Sequence, residues 1–533
     1  MQHIQEGILY LTALLALVLL CLKPLGWYIS KIYNNKIGFN FNLDFLNKAM
    51  DHKSYIRAML VFNILGVLFC FLWQVLQGYL PLNPEKLPAV PWDLALNTAV
   101  SFATNTNWQS YAGEYTMSYF SNMLGLTVQN FTAPATGMAI LFAFFRGLKA
   151  NNTIGLGNFW KDVLSIILYL LLPLSIITAL FLNSQGVIQN FKSYEKIEKN
   201  LAGEKQILPM GPVASQVAIK ILGTNGGGVF KANAAHPFEN PNYISNFFQN
   251  FLILLIPIAL YYSYGIIIED KKQSFYLLLV MIFLFALASL GVLFYELIPG
   301  PNWQGKELRF GLASPAIWAS SIAATANGAI NAILDYFSPA SIAILLFLIN
   351  TGEIIFGGVG SGFYGLLVIL IFTLFISNLM VGNNPSFLGK KLDVYDIKMA
   401  SLVVLMMPCL VLGFTIIQVI FKDSISSKEF VSILYSWSSM AAGNGSSFNN
   451  VNSNTLAFNL MGSIIMLVGR YGIAIAILNL AGSFSLKQKI EKENLKTNSL
   501  FISILLIAMI IIMSGLSFLP ILVLGPIVEY LRV

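Results

Sequence analysis

Apolar runs long enough to cross a bilayer as helices lie at roughly 7–23, 57–78, 120–145, 162–183, 244–267, 273–297, 338–382, 399–421, 455–482 and 499–522. Polar and charged stretches separate them. The seventh run is too long for one plain helix, and Gly357-Gly358-Val359-Gly360-Ser361-Gly362 interrupts it. Such a break is tolerated at membrane depth only where protein or enclosed water satisfies the freed backbone groups. The pattern predicts an all-α polytopic membrane protein of about ten transmembrane helices.

The segments between the runs repeat one grammar. A short helix-like stretch precedes a polar Thr/Asn/Gly tract, and a new spanning run follows. The tracts are Thr104-Asn105-Thr106-Asn107-Trp108-Gln109, Thr224-Asn225-Gly226-Gly227-Gly228, Thr325-Ala326-Asn327-Gly328 and Ala442-Gly443-Asn444-Gly445-Ser446. The stretches before them are Asp93 to Phe102, Pro212 to Leu222, Pro315 to Ala324 and Ser427 to Ser439. Two of these open on proline, which suits a first helical turn. The chain divides accordingly into a first helix and loop (1–56), four repeats (57–150, 151–270, 271–395 and 396–490) and a last helix (491–533).

Composition narrows the class. Of 533 residues, 56% are hydrophobic and only 10% charged, whereas soluble domains carry about 25% charged residues. Mean hydropathy is +0.72. The net charge of +7 resides mostly in short loops, which sets orientation and does not imply nucleic acid. Lys23 to Arg57, Arg146 with Lys149, Lys271-Lys272, Lys390-Lys391 and Lys487 to Lys496 fall on one side, which favours external termini. The run Ile8 to Leu22 has no basic region before it and no small-residue cleavage pattern after it, so it reads as a retained first helix. Cys21, Cys70 and Cys409 sit apart in apolar stretches, and the three histidines make no ligand spacing.

The tracts suit a dehydrated monovalent cation. Backbone carbonyls from a ring of four loops replace lost water with a neutral field. Glycine permits the positive φ that aims successive carbonyls at one axis. Thr and Asn brace from behind or offer oxygens of their own. Each short helix turns its partly negative C-terminal end toward the ion. The tracts contain no Asp or Glu, unlike sites for calcium or magnesium. A single tract of this composition is an ordinary turn; recurrence between spans is what argues for a filter. Glu353 is an intramembrane acid, read either as part of a cation path or as a satisfied structural carboxylate. Arg470 reads as a structural or boundary arginine rather than a gate. The chain has no phosphate-binding Gly-rich loop and no Asp-Lys-Thr-Gly-Thr phosphorylation stretch. It is therefore expected not to bind ATP itself.

At these tracts the sequence resembles the KdpA family, the potassium-binding subunits of bacterial Kdp potassium-transporting ATPases. The stretches that carry the resemblance are Ser101 to Tyr111, Leu222 to Gly228, Ala234 to Pro241, Gly352-Glu353, Phe356 to Gly362, Gly389 to Val394, Asn444-Gly445-Ser446 and Leu524 to Leu531. The resemblance implies the potassium-transporter superfamily fold, with four membrane–pore loop–membrane repeats around one pore and two flanking helices. It implies a bacterial inner-membrane complex with a P-type ATPase catalytic subunit, a single-span auxiliary subunit and a small membrane peptide. Potassium would enter through the filter and pass along an intersubunit tunnel to the ATPase subunit, and no other cofactor is expected. The implied filter residues are Asn105, Thr106, Gln109, Thr224, Asn225, Gly226, Asn327, Gly328, Asn444 and Gly445, with Ala326 and Gly443 beside them in the tracts. The implied path or gate comprises Glu353, Gly357, Gly358, Gly360 and Gly362, in a loop that blocks direct passage to the cytoplasm. Two positions depart from the family pattern: Asn327, where a cysteine is common, and Asn383-Asn384, where an arginine is common. The alternative is a stand-alone potassium channel or cation symporter of the same superfamily.

Overall fold

Every apolar run becomes a helix, and the seventh becomes two. The structure is a computed structural model that describes residues 2–37, 44–198, 205–298, 300, 302–352, 354–420, 422, 424–489 and 497–527. The long helices are α1 (Gln2–Tyr33), α2 (His52–Val75), α4 (Ser121–Lys149), α5 (Phe159–Ser184), α7 (Tyr243–Ile267), α8 (Lys271–Leu297), α11 (Ser361–Met380), α12 (Val394–Ile420), α14 (Leu456–Ser485) and α15 (Leu500–Leu522). Shorter α3 (Trp92–Ala103), α6 (Val213–Leu222), α9 (Ala313–Ala324) and α13 (Ser427–Ala441) occupy the four helix-like stretches, and α10 (Pro339–Asn350) is the first half of the broken span. Among the described residues, nine helices are long and apolar enough to cross a membrane.

The polar residue just ahead of many runs sets where the helix begins. The side chains of Asp51, Asn158, Asp270, Ser426 and Thr455 each accept a backbone N–H of the first turn. Asn242 and Ser245 form a reciprocal capping box at α7. These caps satisfy donors that a helix start otherwise leaves orphaned.

Burial separates inner from outer helices. In the apolar windows of α4 and α7, 83% and 89% of residues are buried, against 22% in α2 and 17% in α12. The helix after each pore loop is thus more buried than the helix before it, and the outer helices keep an apolar face for lipid. Each outer helix packs on its own short helix: α2 on α3, α5 on α6, α8 on α9 and α12 on α13. The fourfold grammar of the sequence is therefore a fourfold packing rule. Helix α1 lies along α7, and α15 lies against α11, α8 and α10. Gly7 of α1 lies against Leu293 and Ala313, which puts the N-terminus on the face from which the short helices descend.

Ion pairs and helix-end contacts tie the opposite face. Arg146, near the end of α4, donates to both carboxylate oxygens of Asp162 on α5, at 2.6 and 2.7 Å, and Tyr55 Oη donates to the same carboxylate at 2.8 Å. Lys390 Nζ donates to the carbonyls of Gly147 and Phe484 at 2.9 and 2.6 Å. It thereby caps the negative ends of α4 and α14 together. Asp162→Ala leaves a largely buried guanidinium unpaired, and a loss of about 3–5 kcal/mol is expected, read as a fall in the unfolding midpoint in detergent. On the face that carries the four polar tracts, β1 (Glu195–Ile197), in the mixed-charge stretch Lys192 to Lys205, pairs antiparallel with β2 (Gln206–Leu208) just after it; residues 199–204 lie outside the described set.

Candidate ion filter

Helix ends define the register of the four loops. Each short helix gives way to a residue in the left-handed region: Asn105 (φ 70°), Thr224 (φ 51°), Ala326 (φ 53°) and Gly443 (φ 72°). The next residue then donates its N–H back into the helix. Thr106 bonds the Ser101 carbonyl at 3.0 Å, Asn225 that of Lys220 at 2.9 Å, Asn327 that of Ile322 at 3.1 Å and Asn444 that of Ser439 at 2.8 Å. These bonds align Thr106, Asn225, Asn327 and Asn444, and after them Asn107, Gly226, Gly328 and Gly445.

Asn107 is the aligned residue that sequence reasoning did not select. It stands where the other loops carry glycine, is buried, and holds φ 55°. Asparagine tolerates that conformation better than most side chains, and this tolerance was the available signal.

The loops touch in a closed ring. Gln109 bridges loops one and two: its Nε2 donates to the Gly228 carbonyl and its Oε1 accepts the Gly228 N–H, both at 2.9 Å. Asn105 Nδ2 reaches the carbonyls of Gly223 and Thr224 at 3.3 and 3.2 Å. Gly226 abuts Gly328, Gly328 abuts Asn444 and Gly445, and Gly445 abuts the Thr106 carbonyl. At Gly226 and Gly445, where φ is 99° and 88°, an added Cβ would lie only 1.9 Å from Gly328 N and 2.0 Å from Thr106 O. Glycine is what permits the ring to close there.

Side chains brace this ring from behind. Asn444 Oδ1 accepts the Ser446 N–H at 3.0 Å, and its Nδ2 donates to the Ile322 carbonyl of the preceding helix at 2.9 Å. Asn327 does the same, accepting from Ala329 N at 2.8 Å and donating to the Lys220 carbonyl at 3.4 Å. The amide at the departure position Asn327 therefore serves as a strut between loops. Ser101 Oγ, Trp318 Nε1 and Ser439 Oγ donate to the carbonyls of Trp108, Ala329 and Ser446 at 3.0, 2.6 and 2.7 Å. Among the described residues, no donor is paired with the carbonyls of Thr106, Asn327 or Asn444. Those oxygens remain available to a cation. The nearby carboxylates serve backbone amides: Glu239 accepts from Val229 and Phe230 N at 2.7 and 2.9 Å, and Glu114 from Lys231 N at 2.9 Å. Burial lifts the Glu114 carboxyl above its ordinary range.

The intramembrane break lies directly beneath. It runs from Thr351, which ends α10, to Gly360, which starts α11. Gly357 N donates to the Ala324 carbonyl at 2.8 Å, and Val359 N to Thr224 Oγ1 at 3.0 Å. Gly360 (φ 86°) presses on the backbone of Gly137 in α4. Gly358 accepts from Gly362 N at 3.1 Å, and Gly362 belongs to the first turn of α11. Glu353 lies outside the described residues. A cavity below the ring is lined by Thr106 and Gly443 of the loops, by Thr351 of the break with Asn350 and Ser361 of the helix ends flanking it, and by Arg470. Its volume open to water-sized solutes is about 90 Å3, room for several waters. Arg470 sits in a π-helical turn of α14, and its Nη2 has no partner among the described residues. Asn383 lies away from these groups, in the turn after α11, where its N–H bonds the Asn378 carbonyl at 2.9 Å.

Comparison with known proteins identifies the family. Residues 12–531 match the family model KdpA, described as Potassium-transporting ATPase A subunit. The chain belongs to this family. It is 45% identical to the potassium-transporting ATPase potassium-binding subunit of Photorhabdus laumondii, over 91% of this chain and 89% of that protein. It is 42% identical to the corresponding subunit of Pectobacterium atrosepticum, over 99% of both chains. Among solved structures it resembles the potassium transporter TrkH from Vibrio parahaemolyticus, with a TM-score of 0.56 and 13% identity over 91% of this chain and 97% of that one. That likeness speaks to the fold, a multi-pass membrane transporter fold with nine candidate spans among the described residues.

Proposed function

We propose that this chain selects, dehydrates and binds external potassium in the four-loop ring, and hands it to a P-type ATPase partner for ATP-driven uptake. The observation that carries the reading is the closed ring itself. It has no carboxylate at its aligned positions, it is braced on every side, and it leaves the carbonyls of Thr106, Asn327 and Asn444 without donors. A neutral carbonyl field suits a large, weakly hydrated monovalent ion. The names of the relatives supply the ion and the ATPase complex.

In this reading the ion leaves the ring into the cavity lined by Thr106, Gly443 and Arg470. The Gly357–Gly360 segment, bonded to the base of the loops, bars the straight route onward. Arg470 adds a positive charge beside the path, which keeps the ion from resting there. Exit is lateral, toward the catalytic subunit, with a single-span subunit and a small membrane peptide completing an inner-membrane complex. Potassium is the cargo, the chain binds no ATP, and the termini are external.

Rubidium uptake into vesicles tests this. Uptake is expected only when the chain is assembled with a P-type ATPase partner and supplied with ATP. Flux through the chain alone, without ATP, would sink the pump-subunit reading in favour of a channel or symporter.

A further inference from the structure

Loop two differs from the others in what stands behind it. Where Ser101, Ile322 and Ser439 occupy the aligned helix position, α6 carries Lys220, and its ammonium is completely buried. Nζ donates to Asn233 Oδ1 at 2.6 Å and forms an ion pair with the equally buried Glu239. Asn233 in turn donates from Nδ2 to the Gly226 carbonyl at 2.6 Å. A chain of contacts thus runs Glu239–Lys220–Asn233–Gly226, ending on the residue that meets loop three at Gly328. The Lys220 backbone carbonyl accepts from Asn225 N, Gly226 N and Asn327 Nδ2 at 2.9, 3.2 and 3.4 Å. One residue therefore anchors loop two by its main chain, ties loop three to it, and fixes the Gly226 carbonyl through its side chain.

We infer that the Lys220–Asn233–Glu239 network is a specificity-determining brace, with Asn233 the positioning residue that sets the loop-two/loop-three spacing and hence the size of cation the ring accepts. This rests on the proposed filter function and extends it. Burying a lysine and a glutamate is costly unless both are paired and fully bonded, and here every contact named converges on one loop. The ammonium polarises the Asn233 amide through Oδ1, which strengthens the Nδ2 bond to Gly226. In loops one, three and four the supporting donors are neutral Ser101, Trp318 and Ser439. Loop two is held by a charge-assisted relay.

Asn233 offers a test that spares the ion pair. It holds φ 50°, a conformation glycine adopts freely, so Asn233→Gly removes the amide without backbone strain. Asn233→Asp keeps the acceptor for Lys220 but loses the donor to Gly226. Each is assembled in the full complex, and ATP-driven uptake of potassium and of rubidium is measured with the amount of folded complex. The expected result in both is a rise of about tenfold in the KM for potassium, the scale of one lost hydrogen bond to a fixed group. The maximal rate per folded complex stays within about twofold, and the rubidium-to-potassium preference shifts. A purely structural brace would lower the folded amount or the maximal rate and leave KM and ion preference unchanged; that result, or no change in either variant, overturns the inference. If wild-type complex shows no potassium-dependent uptake, the function reading fails first and the inference falls with it.

Discussion

Gly226→Asp is expected to abolish high-affinity potassium uptake while leaving the protein inserted and folded. The residue holds φ 99°, and a Cβ there would lie 1.9 Å from Gly328 N, 2.4 Å from Gly328 Cα and 2.7 Å from Ala329 N. All three are backbone atoms of the neighbouring loop, so no rotamer relieves the clash. The left-handed backbone adds strain for any side chain. Together these cost about 3 kcal/mol or more, equivalent to about a hundredfold in affinity. The penalty falls on the junction of loops two and three, because the loops must part to admit the new side chain. The spanning helices do not depend on that junction. KM for potassium-driven uptake and growth at low external potassium read the effect. Gly328→Asp is expected to be milder. Its φ is outside the left-handed region, and its closest contact is the Asn444 carbonyl at 2.7 Å. Wild-type KM in both variants would remove these glycines from the ion path.

Hydropathy made the spans legible because lipid demands long apolar runs and closed backbone bonding. The short helices and their tracts were legible for a related reason. A polar Gly/Asn stretch between two spans has to turn, and four such turns at one position in a repeat imply one structure. The way the loops join into a ring was not. The bonds that tie one loop to the next link residues more than 100 positions apart, such as Asn327 to Lys220 and Asn444 to Ile322, and no local pattern announces them. Asn107 was passed over because the equivalent residues are glycines; the helix-end bond of Thr106 reveals the equivalence, and a φ of 55° accompanies it. The break in the seventh run was visible at its glycines, but its start was not. Ile354, Ile355 and Phe356 are buried and apolar, so hydropathy carries straight across a segment that has already left the helix at Thr351. Lys220 was not singled out, and Arg470 read as a structural or boundary arginine. Their roles depend on what other repeats bring beside them.

Gly360→Val is expected to open an ATP-independent leak. Gly360 begins α11 with φ 86°, and an added Cβ would lie 2.5 Å from both the carbonyl carbon and the carbonyl oxygen of Gly137 in α4. Helix α4 is among the most buried elements and cannot retreat. The intramembrane segment must move instead, at a cost of about 2–5 kcal/mol from strain and overpacking combined. Moving it breaks two ties to the base of the ring, Val359 N to Thr224 Oγ1 at 3.0 Å and Gly357 N to the Ala324 carbonyl at 2.8 Å. The barrier beneath the cavity is then no longer anchored. Rubidium efflux from liposomes containing the assembled complex without ATP should rise well above wild type, and the unfolding midpoint should fall. Gly365→Ala is the control on the same helix. Its nearest contact is the Gly352 carbonyl at 3.7 Å, an ordinary van der Waals distance, so neither quantity should change. A destabilised but leak-free Gly360→Val complex would mean that the segment is a packing element and that the barrier to direct passage lies elsewhere, with the cavity side chains around Arg470 the next place to look.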